Sequence, residues 1–362
     1  MKYYIISGEA SGDMHAANLV AVIKEKDEKS VFRAWGGDKL QQQGATIVKH
    51  IKNLAFMGFL EVIVNLPTIL KNINFCKKDI LDFQPDALIL VDYPGFNFRI
   101  AKFAKQNGIK VFYYISPQIW AWKKSRIKQI RKNVDKMFVI LPFEKEYYKA
   151  NNFEVDFVGH PLLDEIAKDN FTFSINTEKP IIALLPGSRK QEISKILPQM
   201  LSVVNDFSNY QFIVATTNAV EEEFYKNIIQ NRNVLLAKNE TYGLLKNAEA
   251  ALVTSGTATL ETALFNIPQV VCYKTNSFSY QIAKHLVKTK FISLVNIIMD
   301  KMVVKELIQA ELNPKNLSAS LSDILENTNR KEIQKDYSAL KVKLGKKGAS
   351  QKVADLILKY NL

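Results

Sequence analysis

Short, nearly unbroken apolar runs recur along this chain, each stopped by a loop rich in glycine, hydroxyls or acids. The clearest are residues 86–91, 181–185 and 250–253, built of Leu, Ile, Val and Ala after Asp86. Alternating polarity marks a strand with one wet face. An unbroken run marks a strand covered on both faces, as in a parallel sheet flanked by helices. Residues 3–7, 31–35, 109–115, 136–141 and 155–158 add strands in the first half, and 211–215, 234–236 and 269–273 in the second. Residues 14–24 and 100–106 carry helical periodicity between them. The chain has 362 residues, which suits two domains better than one. Composition turns polar over 168–179 and Pro180 opens a fresh strand, so the expected domains are 1–167 and 168–344. A break at Gly345 to Gly348 precedes a terminal helix within 345–362, with Val353, Leu356 and Ile357 on one face. The expected fold is α/β, with two Rossmann-like, doubly wound sheets facing each other across a cleft at their carboxyl ends.

Two loops in the second half point to a ligand. Pro186-Gly187-Ser188-Arg189-Lys190-Gln191-Glu192 follows one buried run, and Thr254-Ser255-Gly256-Thr257-Ala258-Thr259-Leu260-Glu261 follows another. Both set small residues between a strand and a helix start, where free backbone N–H groups face outward and favour phosphate. Arg189 adds a planar fork of donors suited to pyrophosphate. Glu261, about one turn into the next helix, is placed to accept from two ribose hydroxyls. Either loop alone reads equally as a capped helix. Together they point to a nucleoside diphosphate, with Asn296, after the strand-like 291–295, as a further contact.

In the first half, Asp92 ends the run 86–91, and Pro94-Gly95 turns the chain at once. A partly desolvated carboxylate at a strand end suits a general base, and a turn-capping Asp is the alternative. Gly8-Glu9-Ala10-Ser11-Gly12-Asp13 occupies the matching position after the first strand and lacks the Gly-x-Gly-x-x-Gly pattern. Glu9, Ser11 and Asp13 suit sugar hydroxyls or a phosphate, with Ser11 as a helix cap the alternative. His15, His50, His160 and His285 are scattered without metal-ligand spacing, and no Asp-x-Asp holds a metal, so none is expected.

The net charge of +13 favours an anionic partner. The dense basic stretch 123–132 has no zinc-finger spacing, RNP-like motif or basic zipper beside it, and it reads also as a solvated helix face. Two cysteines, Cys76 and Cys272, fit a reducing cytosol, and no signal peptide or membrane-spanning run is expected. Residues 55–70 include Phe59, Val62, Ile63 and Leu66 and are too apolar for a solvated helix. They read either as a buried core helix or as an apolar patch dipping into a membrane, with Lys71, Lys77 and Lys78 following.

These pieces, in this order and nearly end to end, resemble the lipid-A-disaccharide synthases. The resemblance rests on Ser7 through Asp13, Phe56-Met57-Gly58, Asp92-Tyr93-Pro94-Gly95-Phe96-Asn97, Ser116-Pro117-Gln118-Ile119-Trp120-Ala121-Trp122, Leu141-Pro142-Phe143-Glu144, Val158-Gly159-His160-Pro161 and the two later loops. It implies a two-Rossmann glycosyltransferase of GT-B type. UDP-2,3-diacylglucosamine would be the donor and 2,3-diacylglucosamine 1-phosphate the acceptor, with inversion and no metal. Asp92 matches the family's proposed base. The resemblance puts Gly187, Ser188, Arg189, Glu192, Ser255, Gly256, Thr257, Thr259, Glu261 and Asn296 on the donor. Glu9, Ser11, Asp13 and Asn97 fall on the acceptor, and Phe59, Val62, Ile63 and Leu66 on lipid. Gly95 departs from relatives that carry a second acid there. The family is peripheral on the inner face of the cytoplasmic membrane and forms homodimers by exchanging the C-terminal segment; no nucleic acid is expected. A UDP-N-acetylglucosamine 2-epimerase-like enzyme and a non-enzymatic basic binding protein stand as alternatives.

Overall fold

The computed structural model describes residues 1–53, 66–121, 124–276, 280 and 289–361. The chain divides into two units, Met1–Pro161 with Gly345–Leu362, and Leu162–Leu344. The division falls earlier than the polar stretch suggested, because the helix Leu162–Ile166 belongs with the second unit.

In the first unit the strands are β1 (Lys2–Ser7), β2 (Val31–Gly36), β3 (Thr46–His50), β4 (Ala87–Val91), β5 (Lys110–Tyr114), β6 (Lys136–Val139) and β7 (Asp156–Phe157). They pair in parallel in the order β3-β2-β1-β4-β5-β6-β7. The unbroken apolar runs have the expected cause. Along β1, Tyr4 and Ile6 enter one core while Tyr3 and Ile5 enter the other, so both faces must be apolar. The order reverses between β1 and β4, and that switch point opens a crevice at the strands' carboxyl ends.

The second unit repeats the plan with β8 (Ile181–Leu185), β9 (Gln211–Thr216), β10 (Val234–Lys238), β11 (Ala248–Thr254), β12 (Gln269–Tyr273) and β13 (Lys305–Ile308). Their order is β10-β9-β8-β11-β12-β13, again parallel, with the switch point between β8 and β11. Residues 291–295 are not a strand: Ser293 caps a helix, Leu294–Met299, by accepting from the Asn296 N–H. The basic stretch becomes a short turn, Lys124–Arg126, and a helix, Ile127–Asn133. Ile130 is buried there while Lys128, Arg131 and Lys132 are exposed, a solvated helix face. Phe59, Val62, Ile63 and Trp122 lie outside the described residues, and Leu66 opens the helix Leu66–Phe83.

The terminal helix Ala349–Asn361 lies on the first unit of its own chain, against the helix Ala10–Lys26. Val353, Ala354 and Ile357 are fully buried in the core that holds Tyr3 and Ile5. Lys26 pairs with Asp355 at 2.6 Å, and Lys352 Nζ donates to the Phe157 carbonyl at 2.7 Å. Apolar burial is the main term here, since an exposed ion pair contributes about 0–1 kcal/mol. Ile357→Ala is therefore expected to cost the first unit about 2–5 kcal/mol in denaturant unfolding. Val342→Ala, at a side chain 80% exposed, should stay within about 0.5 kcal/mol. Equal effects would overturn this account of the helix.

Candidate functional site

Asp92 sits directly after β4, at the first unit's switch point. Its φ is +45° and that of Tyr93 is +49°, two successive left-handed residues with side chains. Each such residue costs on the order of 1–3 kcal/mol unless its surroundings hold it. Three contacts do so. The Asp92 N–H donates to the Tyr114 carbonyl at 3.2 Å. The Asp92 carbonyl accepts from the Tyr113 hydroxyl at 2.6 Å and from Asn97 Nδ2 at 2.7 Å. Tyr93 then caps the helix Pro94–Gln106, whose proline at the start fixes the turn. The Tyr93 ring lies on Gly8, where a Cβ would stand 2.3 Å from the ring, so any larger residue at 8 would displace it.

Asp92 is a partly exposed residue, but its carboxyl is largely enclosed. Burial by its surroundings, and next the nearby charge of Glu9, push it up to about 7, while the Tyr93 N–H works the other way. A carboxyl so tuned takes a proton near neutral pH.

The other first-unit candidates divide. Glu9 is partly exposed beside Asp92, and Ser11 is exposed in the first turn of the helix Ala10–Lys26, where Glu9 holds the cap position. Asp13 is tied into the loop that follows β2. Its buried carboxylate accepts from the N–H groups of Gly37 (2.6 Å), Lys39 (3.1 Å) and Leu40 (3.4 Å), capping the helix Asp38–Gln42. Asn97 is fully buried and pins the Asp92 backbone. The Asp13 carboxylate and the Asn97 amide nitrogen are thus both bonded within the protein.

One residue of this crest has no role in the sequence pattern. Glu144, 1% exposed, accepts from the Leu141 N–H at 3.0 Å and the Trp120 indole at 3.2 Å. Burial pushes its carboxyl up to about 7 against these donors. Ser116 shares a 2.6 Å hydrogen bond with Tyr148, and the Trp120 ring meets Phe143 edge-on at 4.8 Å. Glu144 thus ties the segment after β5 to the turn after β6. Ile115, which launches that segment, has φ +64°, strained for a β-branched residue. The signal in sequence is the acid in Leu-Pro-Phe-Glu, which reads alone as ordinary first-turn charge.

In the second unit, β8 and β11 are neighbours, with Val253 opposite Leu185, so the two loops beyond them lie side by side at the switch point. Ser188 is exposed, and Arg189 takes the cap position of the helix Lys190–Met200. Its guanidinium, half exposed, pairs with Glu192 at 3.0 Å, and the Glu192 carboxylate reaches back over Gly187. Gly256, which has no side chain to cap with, precedes the helix Thr257–Leu264. Ser255 and Thr257 stand at this end, with the Ser255 hydroxyl donating to the Ile292 carbonyl at 2.9 Å. The Thr259 hydroxyl is turned inward to the Gly256 carbonyl at 2.8 Å. Glu261 accepts from the Tyr242 hydroxyl at 2.8 Å.

Asn296 is also turned inward. Its amide donates to Val304 and Glu306, both at 2.8 Å, and accepts from the N–H groups of Val303 and Val304 at 2.8 and 3.0 Å. A fully bonded, fully buried amide has no donor left for a ligand. Among the described residues, no group of three or more His, Cys, Asp or Glu side chains stands together to hold a metal.

A model of the lipid-A-disaccharide synthetase family matches residues 3–359. The lipid-A-disaccharide synthase of Syntrophus aciditrophicus is 40% identical over 368 residues, covering 98% of this chain and 96% of that protein. Solved structures share the fold at far lower identity. A UDP-GlcNAc 2-epimerase from Neisseria meningitidis bound to UDP-GlcNAc is 14% identical with a TM-score of 0.68, over 99% of this chain and 100% of that one. The kitacinnamycin glycotransferase is 12% identical with a TM-score of 0.67, over 99% and 98%. Epimerases and glycosyltransferases therefore share the fold, and the sequence family is what separates them.

Proposed function

Because the chain belongs to the lipid-A-disaccharide synthetase family, it is a glycosyltransferase, and we propose that its two sheet crests divide the work of forming the lipid A disaccharide. A diacylated UDP-glucosamine is the donor and a diacylated glucosamine 1-phosphate the acceptor. An acceptor hydroxyl oxygen attacks the anomeric carbon of the donor. The bond from that carbon to the phosphate oxygen breaks with inversion, and its electron pair leaves with UDP. The hydroxyl proton passes to the Asp92 carboxylate.

The observation that carries this reading is Asp92 itself, pinned at a switch point with its carboxyl near neutrality. Glu9 and Ser11 remain as acceptor contacts. On the donor side, N–H groups around Ser255 to Thr257 and the Arg189 fork take the charge developing on UDP. Arg189 is held by Glu192 in an exposed pair worth about 0–1 kcal/mol, so exchanging that carboxylate for pyrophosphate costs little. Gly187 and Ser188 line the same turn, and Glu261 takes the ribose.

Both substrates carry acyl chains, and we place the protein on a membrane surface for that reason, peripheral on the cytoplasmic face. The helix Leu66–Phe83 supports this placement: Leu70, Phe75 and Leu81 are nearly half exposed, with Lys71 and Lys78 exposed among them. Lysines near an anionic leaflet add about 1 kcal/mol each. No metal enters the proposed reaction.

Asp92→Asn should lower turnover by roughly 10²–10⁴-fold with UDP affinity unchanged by calorimetry. In the wild type, kcat/KM should climb about tenfold per pH unit below about 7 and level off above, because only the ionised carboxyl takes the proton. Glu9→Gln removes a like charge and should move that limb to lower pH. A folded Asp92→Asn enzyme of near-normal turnover would sink the assignment. Excess EDTA should leave turnover intact, and restoration of a lost activity by magnesium would refute the metal-free reading. Leu70→Ser with Phe75→Ser should weaken co-sedimentation with anionic vesicles and leave UDP binding alone; undiminished vesicle binding would exclude this helix as the contact.

A further inference from the structure

The Glu261 carboxylate accepts a single hydrogen bond among the described residues, and its partner is Tyr242 from the start of the helix Thr241–Asn247. The phenol donates to Oε1 at 2.8 Å, which leaves Oε2 without a donor among the described residues. The Tyr242 ring is held on two sides. Phe171 meets it edge-on at 5.1 Å, Phe265 lies tilted at 5.3 Å, and these two rings touch each other at 5.6 Å. The segment bearing Phe171 is fastened to the same helix start, because the Ser174 N–H and hydroxyl both donate to Glu240, at 3.0 and 2.9 Å. The hydroxyl that reaches Glu261 is therefore set by a rigid aromatic cluster.

We propose that Tyr242 is a positioning residue for ribose recognition, turning the Glu261 carboxylate so that its open oxygen accepts from a ribose hydroxyl of the nucleotide. This rests on the reading of Glu261 as the ribose contact. Burial pushes the Glu261 carboxyl up, and the Tyr242 phenol opposes that shift. Without the phenol the carboxylate loses its one bond among the described residues, and with it both its orientation and part of its charge. A carboxylate–hydroxyl bond is charge-assisted and among the stronger hydrogen bonds available to a neutral sugar.

Calorimetry on the full chain with UDP, 2′-deoxy-UDP and 3′-deoxy-UDP tests this. The wild type should prefer UDP over at least one deoxy analogue by about tenfold or more, the usual scale for a hydrogen bond to a charged group. Tyr242→Phe keeps the ring and should weaken UDP by about tenfold while leaving the deoxy analogue nearly unchanged, bringing the ratio toward one. General damage to the site would weaken all three ligands alike and leave the ratio where it was. Should the phenylalanine variant melt early, Tyr242→Met removes the same hydroxyl with an adaptable side chain and gives a second measurement of the ratio. A ratio that survives both substitutions overturns the proposal while the ribose reading stands. Equal binding of all three ligands by the wild type removes the ribose reading and the proposal together.

Discussion

The backbone of Asp92 is the constraint on which the first unit's chemistry depends. Two successive left-handed residues do not persist on their own. They persist here because Tyr113 and Asn97 converge on one carbonyl and Tyr114 receives the N–H. Tyr113 and Tyr114 belong to β5, and Asn97 to the helix that Tyr93 caps. The carboxylate is therefore aimed by the neighbouring strand and the following helix together. The order β1-β4-β5 also brings the loop after β1 alongside, which supplies Glu9 and its charge. Sheet topology, backbone strain and acidity are one arrangement at this point.

The second unit reinforces its crest differently. Ser255 is tied to the Ile292 carbonyl, and the chain at Ile292 and Ser293 is in turn gripped by the Glu306 carboxylate through their N–H groups. Glu306 comes from β13, beyond β12, and Asn296 completes the lattice by bonding the same carboxylate. The N–H groups at the start of Thr257–Leu264 are left exposed by a loop braced from beneath. That combination suits the diphosphate proposed for this crest, since donors fixed before the ligand arrives lose little freedom when it binds.

What could be read from the sequence was what local pattern encodes. Unbroken apolar runs gave the central strands, and the loops behind them gave the crests, because burial on both faces leaves no place for a polar residue. Two of the four edge strands escaped. Thr46–His50 and Lys305–Ile308 mix lysines with aliphatic residues, as edges open to water do. Residues 291–295 look like a strand because a short apolar run has no period of its own, and the capping role of Ser293 decides for helix. Asp13, Asn97, Thr259 and Asn296 look like ligand contacts because polar residues near a crest usually are. Their partners are mostly backbone groups brought in by tertiary folding, at Gly37, Asp92 and Val304 among others, and nothing local announces them.

The same distance between composition and role separates the two acids of the first crest. Burial pushes both Asp92 and Glu144 up to about 7, so acidity alone nominates both. Their surroundings differ. Glu144 is closed off, and the groups around it, the N–H groups of Ile140 and Leu141, the Trp120 indole and the Ser116 hydroxyl, all oppose the effect of burial by favouring its charged form. With no open face it cannot reach a substrate proton, and what it can do is hold the Trp120 segment in place beside the crest. At Asp92, a partly exposed residue, the Tyr93 N–H favours the charged carboxyl, and the negative charge of Glu9 works against it. Repulsion from Glu9 adds to burial in favouring the protonated form of Asp92. The proposed base thus differs from the brace in the company its carboxyl keeps: a like charge at Asp92, converging donors at Glu144.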